Sequence, residues 1–80
     1  MADRTIGILG LGIFGSSVLT TLAQHDINII AIDDHEERIN QFEPVLVRGV
    51  VGDITDEELL LSAGLATCDT VVVATGANLE

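Results

Sequence analysis

Eighty residues make at most one small domain, which buries only roughly 60% of its unfolded surface. The formal charge is −10, there is no lysine, and the basic residues are Arg4, Arg38 and Arg48, so the clustered cations that a nucleic acid or an anionic membrane surface demands are missing. The hydrophobic fraction of 48%, mostly aliphatic with Phe14 and Phe42 as the aromatics, excludes a disordered chain and suits strands buried on both faces.

The apolar runs alternate with helical patterns along the chain. Thr5–Leu9 reads as a first strand. Phe14–Gln24 reads as a first helix, with Val18, Leu19 and Leu22 sharing a face. Ile27–Ile32 is a second strand. A second helix runs from about His35 to Phe42, with Asp34 as N-cap, Glu37 completing a capping box, and Pro44 as the stop. Val45–Val51 is a third strand. Thr55-Asp56-Glu57-Glu58 is a second capping box opening a third helix, with Gly64 at its C′ position. Thr70–Ala74 is a fourth strand, and residues 75–78 read as a loop. The alternation predicts an α/β fold, a Rossmann-like parallel sheet in the order 3-2-1-4 with helices on both faces, truncated after the fourth strand. Residues 1–80 are then the N-terminal part of a nucleotide-binding domain, with an apolar fourth strand at an edge that more chain or another subunit would cover.

A single cysteine, Cys68, rules out an intrachain disulfide. No apolar run approaches the length that spans a bilayer, and residues 1–4 lack a signal peptide's features, so a cytoplasmic protein is expected.

The loop Gly10-Leu11-Gly12-Ile13-Phe14-Gly15 follows a strand and opens a helix, the setting in which such a pattern carries weight. Gly10 permits the turn, Gly12 the approach of a pyrophosphate, and Gly15 close packing of helix on strand. The free N–H groups of the first helical turn, aided by the helix dipole, would hold the phosphates. The second and third helices begin with acid, whereas no acid occurs from Leu11 to Ala23. In so acidic a chain, that absence fits a helix terminus reserved for an anion.

Asp33, eighteen residues after Gly15, is placed to accept both ribose hydroxyls of an adenosine and to repel a 2′-phosphate; its alternative role is to cap the second helix. Gly52 and Asp53, ending the third strand, border the adenine end, where Asp53 either reads the adenine amino group or only begins the turn into the third helix. Thr75 and Gly76 lie beside the glycine loop across the switch point, as phosphate or ribose neighbours or as a plain turn. Asp34, Ile54 and Ala74 complete the candidate set. Cys68 reads as a small structural hydrophobe, and His25 and His35 as surface or capping residues. No catalytic constellation and no metal-ligand spacing is present.

The segments Gly10–Ser17, Ala31-Ile32-Asp33, Glu36-Glu37-Arg38, residues 51–57 and residues 72–78 together resemble the KTN domain, the N-terminal RCK domain of Trk- and Ktr-type potassium-uptake regulators. The resemblance spans essentially the whole chain. It implies a cytosolic, non-catalytic domain that binds NAD(H) or ATP/ADP, assembles as dimers within rings, and docks on a membrane potassium-translocating subunit that it gates. By motif match, Gly10, Gly12, Gly15, Asp33, Asp53 and Gly76 would line the nucleotide. Many members carry Arg where this chain has Ile13, which favours a diphosphate bridge, as in NAD or ADP, over a triphosphate. The cofactor-binding part of an NAD-dependent dehydrogenase is the alternative that the glycine loop and Asp33 support equally.

Overall fold

The computed structural model describes residues 4–74. Four strands, β1 (Thr5–Leu9), β2 (Asn28–Asp33), β3 (Arg48–Val51) and β4 (Thr70–Val73), form one parallel sheet in the order β3-β2-β1-β4. Three helices connect them: α1 (Ile13–Leu22), α2 (Glu36–Phe42) and α3 (Glu57–Ser62). This is the Rossmann-like order expected from the alternating pattern.

The alternation of side chains along the strands divides the core in two. Ile6 and Ile8 of β1 and Ile29 and Ala31 of β2 pack with Leu19 of α1 and Ile39 of α2 on one face. Leu9 and Ile32 pack with Ala63 and the half-buried Leu59, Leu60 and Leu65 on the other. Helices α1 and α2 therefore share a face and α3 covers the opposite one. Val18 and Leu22 flank Leu19 against the first cluster, so the face read from their spacing is the face that packs. The inner strands β1 and β2 are almost entirely buried, whereas both outer strands are largely exposed, with Val73 of β4 65% accessible. Among the described residues β4 pairs only with β1.

Several element ends differ from the sequence reading, each for a local reason. Strand β3 begins at Arg48 rather than Val45, because Pro44 sits in the first turn of a 3-10 segment over Glu43–Val45. Proline's fixed φ and missing N–H suit that turn and not a ladder. Pairing resumes where the Val47 N–H reaches the Ile29 carbonyl at 2.8 Å. Helix α1 ends at Leu22 rather than Gln24, as Gln24 and His25 donate to carbonyls three residues back and tighten its close. The N-cap of α2 is His35, not Asp34, because the His35 N–H is taken by the carboxylate of Asp33. The N-cap of α3 is Asp56, one residue beyond Thr55: its carboxylate accepts the N–H groups of Glu58 and Leu59 at 3.1 and 3.4 Å. Gly64 does follow α3 in the left-handed conformation, at φ 92°, as its C′ assignment requires.

Candidate functional site

The chain leaving β1, β3 and β4 is tied to the neighbouring strand. The Gly10 N–H donates to the Ile32 carbonyl, the Gly52 N–H to Asp33, and the Ala74 N–H to Leu9, at 2.8 to 3.0 Å. Gly10 turns the chain out of β1 at φ 97°, a conformation open to glycine without a Cβ penalty. The next residue is pinned three times over. The Leu11 side chain is 2% exposed, its N–H donates to Asp33 Oδ2 at 2.6 Å, and its carbonyl accepts the Ser16 hydroxyl at 2.8 Å. Gly12 then caps α1 with no side-chain acceptor, and the first intrahelical bond runs from the Ser16 N–H to the Gly12 carbonyl. The N–H groups ahead of Ser16 have no acceptor within the helix, and the first turn holds no acid. A Cβ at Gly12 would meet nothing within 4 Å, whereas one at Gly15 would run into the Gly10 carbonyl oxygen and press on Ala74. The two glycines thus differ in their surroundings, open space at Gly12 and close contact at Gly15.

A cleft of about 280 Å3 opens here. Gly10, Gly12 and Ala74 line it at the β1–β4 side, and Asp33, Asp34, Asp53 and Ile54 at the β2–β3 side. These seven were all singled out from the sequence. Arg38 of α2 lines it too, and sequence reasoning missed it. The available signal was its place one turn into a helix that starts beside Asp33, on a chain with only three cations. Five other candidates do not line the cleft. Leu11 is buried beneath the loop, Gly15 is packed against Gly10, and Gly52 lies under Leu59, while Ile13, at 94%, and Phe14 point their side chains into solvent. From Ile13, Phe14 and Gly15 only the main chain could reach a ligand. Thr75 and Gly76 lie outside the described residues.

Asp33 is 3% exposed, and both carboxylate oxygens are engaged. Oδ2 accepts from Leu11 and faces Arg38 Nη1 at 3.5 Å; Oδ1 accepts the His35 N–H at 2.7 Å and lies 3.1 Å from His35 Nδ1. Burial acts to raise its pKa, but the Leu11 and His35 hydrogen bonds and the Arg38 charge outweigh it and hold the group below the usual aspartate value. Asp33 therefore joins the glycine loop to the start of α2, a structural task for the carboxylate that the sequence offered as a ribose acceptor or a cap. The His35 ring contacts Asp34 Oδ1 at 2.6 Å as well, and the ligand atoms of Asp33, Asp34 and His35 fall within 4.8 Å of one another. With acceptors on both sides, Nδ1 is the protonated nitrogen, and hydrogen bonding accounts for the cluster. Asp53 Oδ1 accepts the N–H and hydroxyl of Thr55 at 2.8 and 2.7 Å; the hydroxyl bond, then the N–H bond, lowers its pKa. Its turn-forming role is thus present, and its place on the cleft wall is compatible with ligand contact. Cys68 is half-buried above Gly7, and burial, then Asp69, raises its thiol pKa, as suits a structural residue.

The TrkA-N domain matches residues 6–80. The chain belongs to the TrkA-N domain family. It is 34% identical over 77 residues to the Ktr system potassium uptake protein C of Bacillus subtilis (strain 168), covering 96% of this chain and 35% of that protein. It is 32% identical over 78 residues to potassium uptake protein A of the same system and organism, covering 98% and 35%, and 29% identical to the protein A of Vibrio alginolyticus, covering 98% and 36%. The chain thus spans about a third of the length of these TrkA-N relatives. Among solved structures, N5-carboxyaminoimidazole synthetase from Staphylococcus aureus, complexed with ADP, superposes with a TM-score of 0.73 at 22% identity, over 90% of this chain and 18% of that one. That likeness is one of fold. No helix among the described residues is long and apolar enough to cross a membrane.

Proposed function

We propose that this TrkA-N chain is the nucleotide-sensing part, residues 1–80, of a Rossmann-type domain in a non-catalytic regulatory subunit of a potassium-uptake system. The observation that carries the reading is the start of α1, where uncapped N–H groups and an empty Cβ position at Gly12 border the cleft. Main-chain donors of this kind bind phosphate without side-chain cations, and the loop here supplies none. The phosphates of NAD(H) or of ATP/ADP sit at the Gly10–Gly12 end, and the ribose and base lie toward Asp33, Asp34, Asp53 and Ile54. The cleft is near the lower end of the roughly 300–1,000 Å3 of small-molecule sites, a size that suits one nucleotide half. Potassium transport is supported by the three Ktr-system relatives. In this reading the subunit is cytoplasmic, forms dimers or rings, and reaches the membrane through its translocating partner.

Calorimetric titration of the chain with ADP, ATP, NAD and NADH tests the first step. Saturable binding of at least one is expected, with the nucleotide recovered chemically intact. Absence of heat from all four, or turnover of the ligand, would overturn the reading. The transport step is tested by potassium flux through the translocating subunit with and without the regulator, where flux that ignores both regulator and nucleotide refutes it.

A further inference from the structure

The cation on the cleft is not explained by phosphate binding. Arg48 donates to the Ser62 carbonyl, and Arg4 precedes β1 at the amino end of the sheet, remote from the glycine loop. Arg38 is left, half-exposed on α2, lining the cleft with its Nη1 3.5 Å from the Asp33 oxygen that also accepts the Leu11 N–H. Its surroundings are poor for a further phosphate: Asp33, Asp34 and Asp53 line the same cleft. A guanidinium in such company is already neutralised by Asp33 at 3.5 Å, yet keeps a planar, weakly hydrated face. What that face attracts is a π-system, and Ile54, which lines the same cleft, is apolar.

Resting on the nucleotide-binding reading above, we propose that Arg38 is a specificity-determining residue that stacks on the base of the nucleotide, selecting a purine over a smaller pyrimidine and leaving the phosphates to the glycine loop. Asp33 is the positioning residue for it, since one carboxylate holds the guanidinium and, through Leu11, the loop. The site then takes an adenine nucleotide with an unmodified ribose; a 2′-phosphate would fall among the three acids.

The test is calorimetry on the whole chain and on its Arg38→Ala and Arg38→Lys variants, with ADP, UDP, adenosine 2′,5′-bisphosphate and inorganic pyrophosphate as probes, and thermal melts to establish that each variant folds. The parent is expected to prefer ADP to UDP. Arg38→Ala should weaken ADP by roughly 3- to 10-fold, the range of an exposed to partly desolvated cation–π contact, and leave pyrophosphate unchanged. Arg38→Lys, which keeps the charge beside Asp33 but loses the plane, should also reduce the preference for ADP over UDP. Equal weakening of ADP and pyrophosphate would show a charge effect on phosphate and overturn the assignment. So would unchanged ADP binding, or a larger loss for adenosine 2′,5′-bisphosphate than for ADP. A parent that binds pyrophosphate and ADP alike would sink the base contact while the phosphate seat stands. A parent that binds none of the probes would sink both.

Discussion

Replacing Asp33 with alanine removes the carboxylate on which the cleft is organised. The Leu11 N–H would be left buried without its 2.6 Å acceptor, and the His35 N–H would lose its 2.7 Å acceptor. Hydrogen bonds to a charged group contribute about 1.5–3 kcal/mol each, and the half-exposed Arg38 pair adds only about 0–1 kcal/mol. Partial rehydration at His35 recovers some of this, so a loss of about 3 kcal/mol is expected, against a total of roughly 4–12 kcal/mol for a domain of this size. In a melt that is about 12–24 °C. The pH dependence provides an independent check. Because the folded-state pKa of Asp33 lies below its unfolded value, its contribution is complete above the unfolded pKa of about 3.9 and disappears as the pH falls through the folded value. Urea titrations of parent and Asp33→Ala at a series of pH values should show a constant stability gap near neutrality that narrows below about pH 4. A gap under about 1 kcal/mol at pH 7, or one that does not narrow in acid, would refute the argued role of this carboxylate.

Three further substitutions separate binding from folding. Gly12→Ala, at an ordinary φ of −72° and with open space at its Cβ, should change stability by less than about 1 kcal/mol yet abolish nucleotide binding, read by a melt and a titration on one sample. Gly15→Ala should behave in reverse order, losing about 1–3 kcal/mol or more as α1 is pushed off Gly10, with denaturant midpoints as the measure. Asp56→Ala should cost about 1 kcal/mol by leaving the first turn of the six-residue α3 uncapped, and a variant as stable as the parent would show that Thr55 or solvent takes over the cap.

Strand order, the shared face of Val18, Leu19 and Leu22, and the close packing at Gly15 were legible because each rests on a local pattern: alternating element types, a 3.6-residue period, and a missing Cβ after a strand. What escaped was decided by competition between adjacent residues and by long-range contacts. Asp34 and Thr55 each satisfy the capping pattern, but the carboxylate next to each in sequence holds the backbone instead: Asp33 takes the His35 N–H, and Asp56 takes those of Glu58 and Leu59. Nothing local says that Asp33 would be 3% exposed and bonded to a residue 22 positions earlier. Arg38 was passed over for the same reason, since its value depends on the cleft wall it shares with the loop after β3.

The hydrogen-bond ladders that run on past the strands at Gly10 and Ala74 make the floor of the cleft an extension of the sheet, and the one at Gly52 ties down the segment that carries Asp53. Such a floor is preorganised: a ligand arriving there has little main-chain entropy to remove, and more of its contact energy remains as affinity. The same stitching makes these three amides resist exchange with solvent deuterium before any ligand is added, so that the change on binding should be concentrated in the unbonded N–H groups at the start of α1.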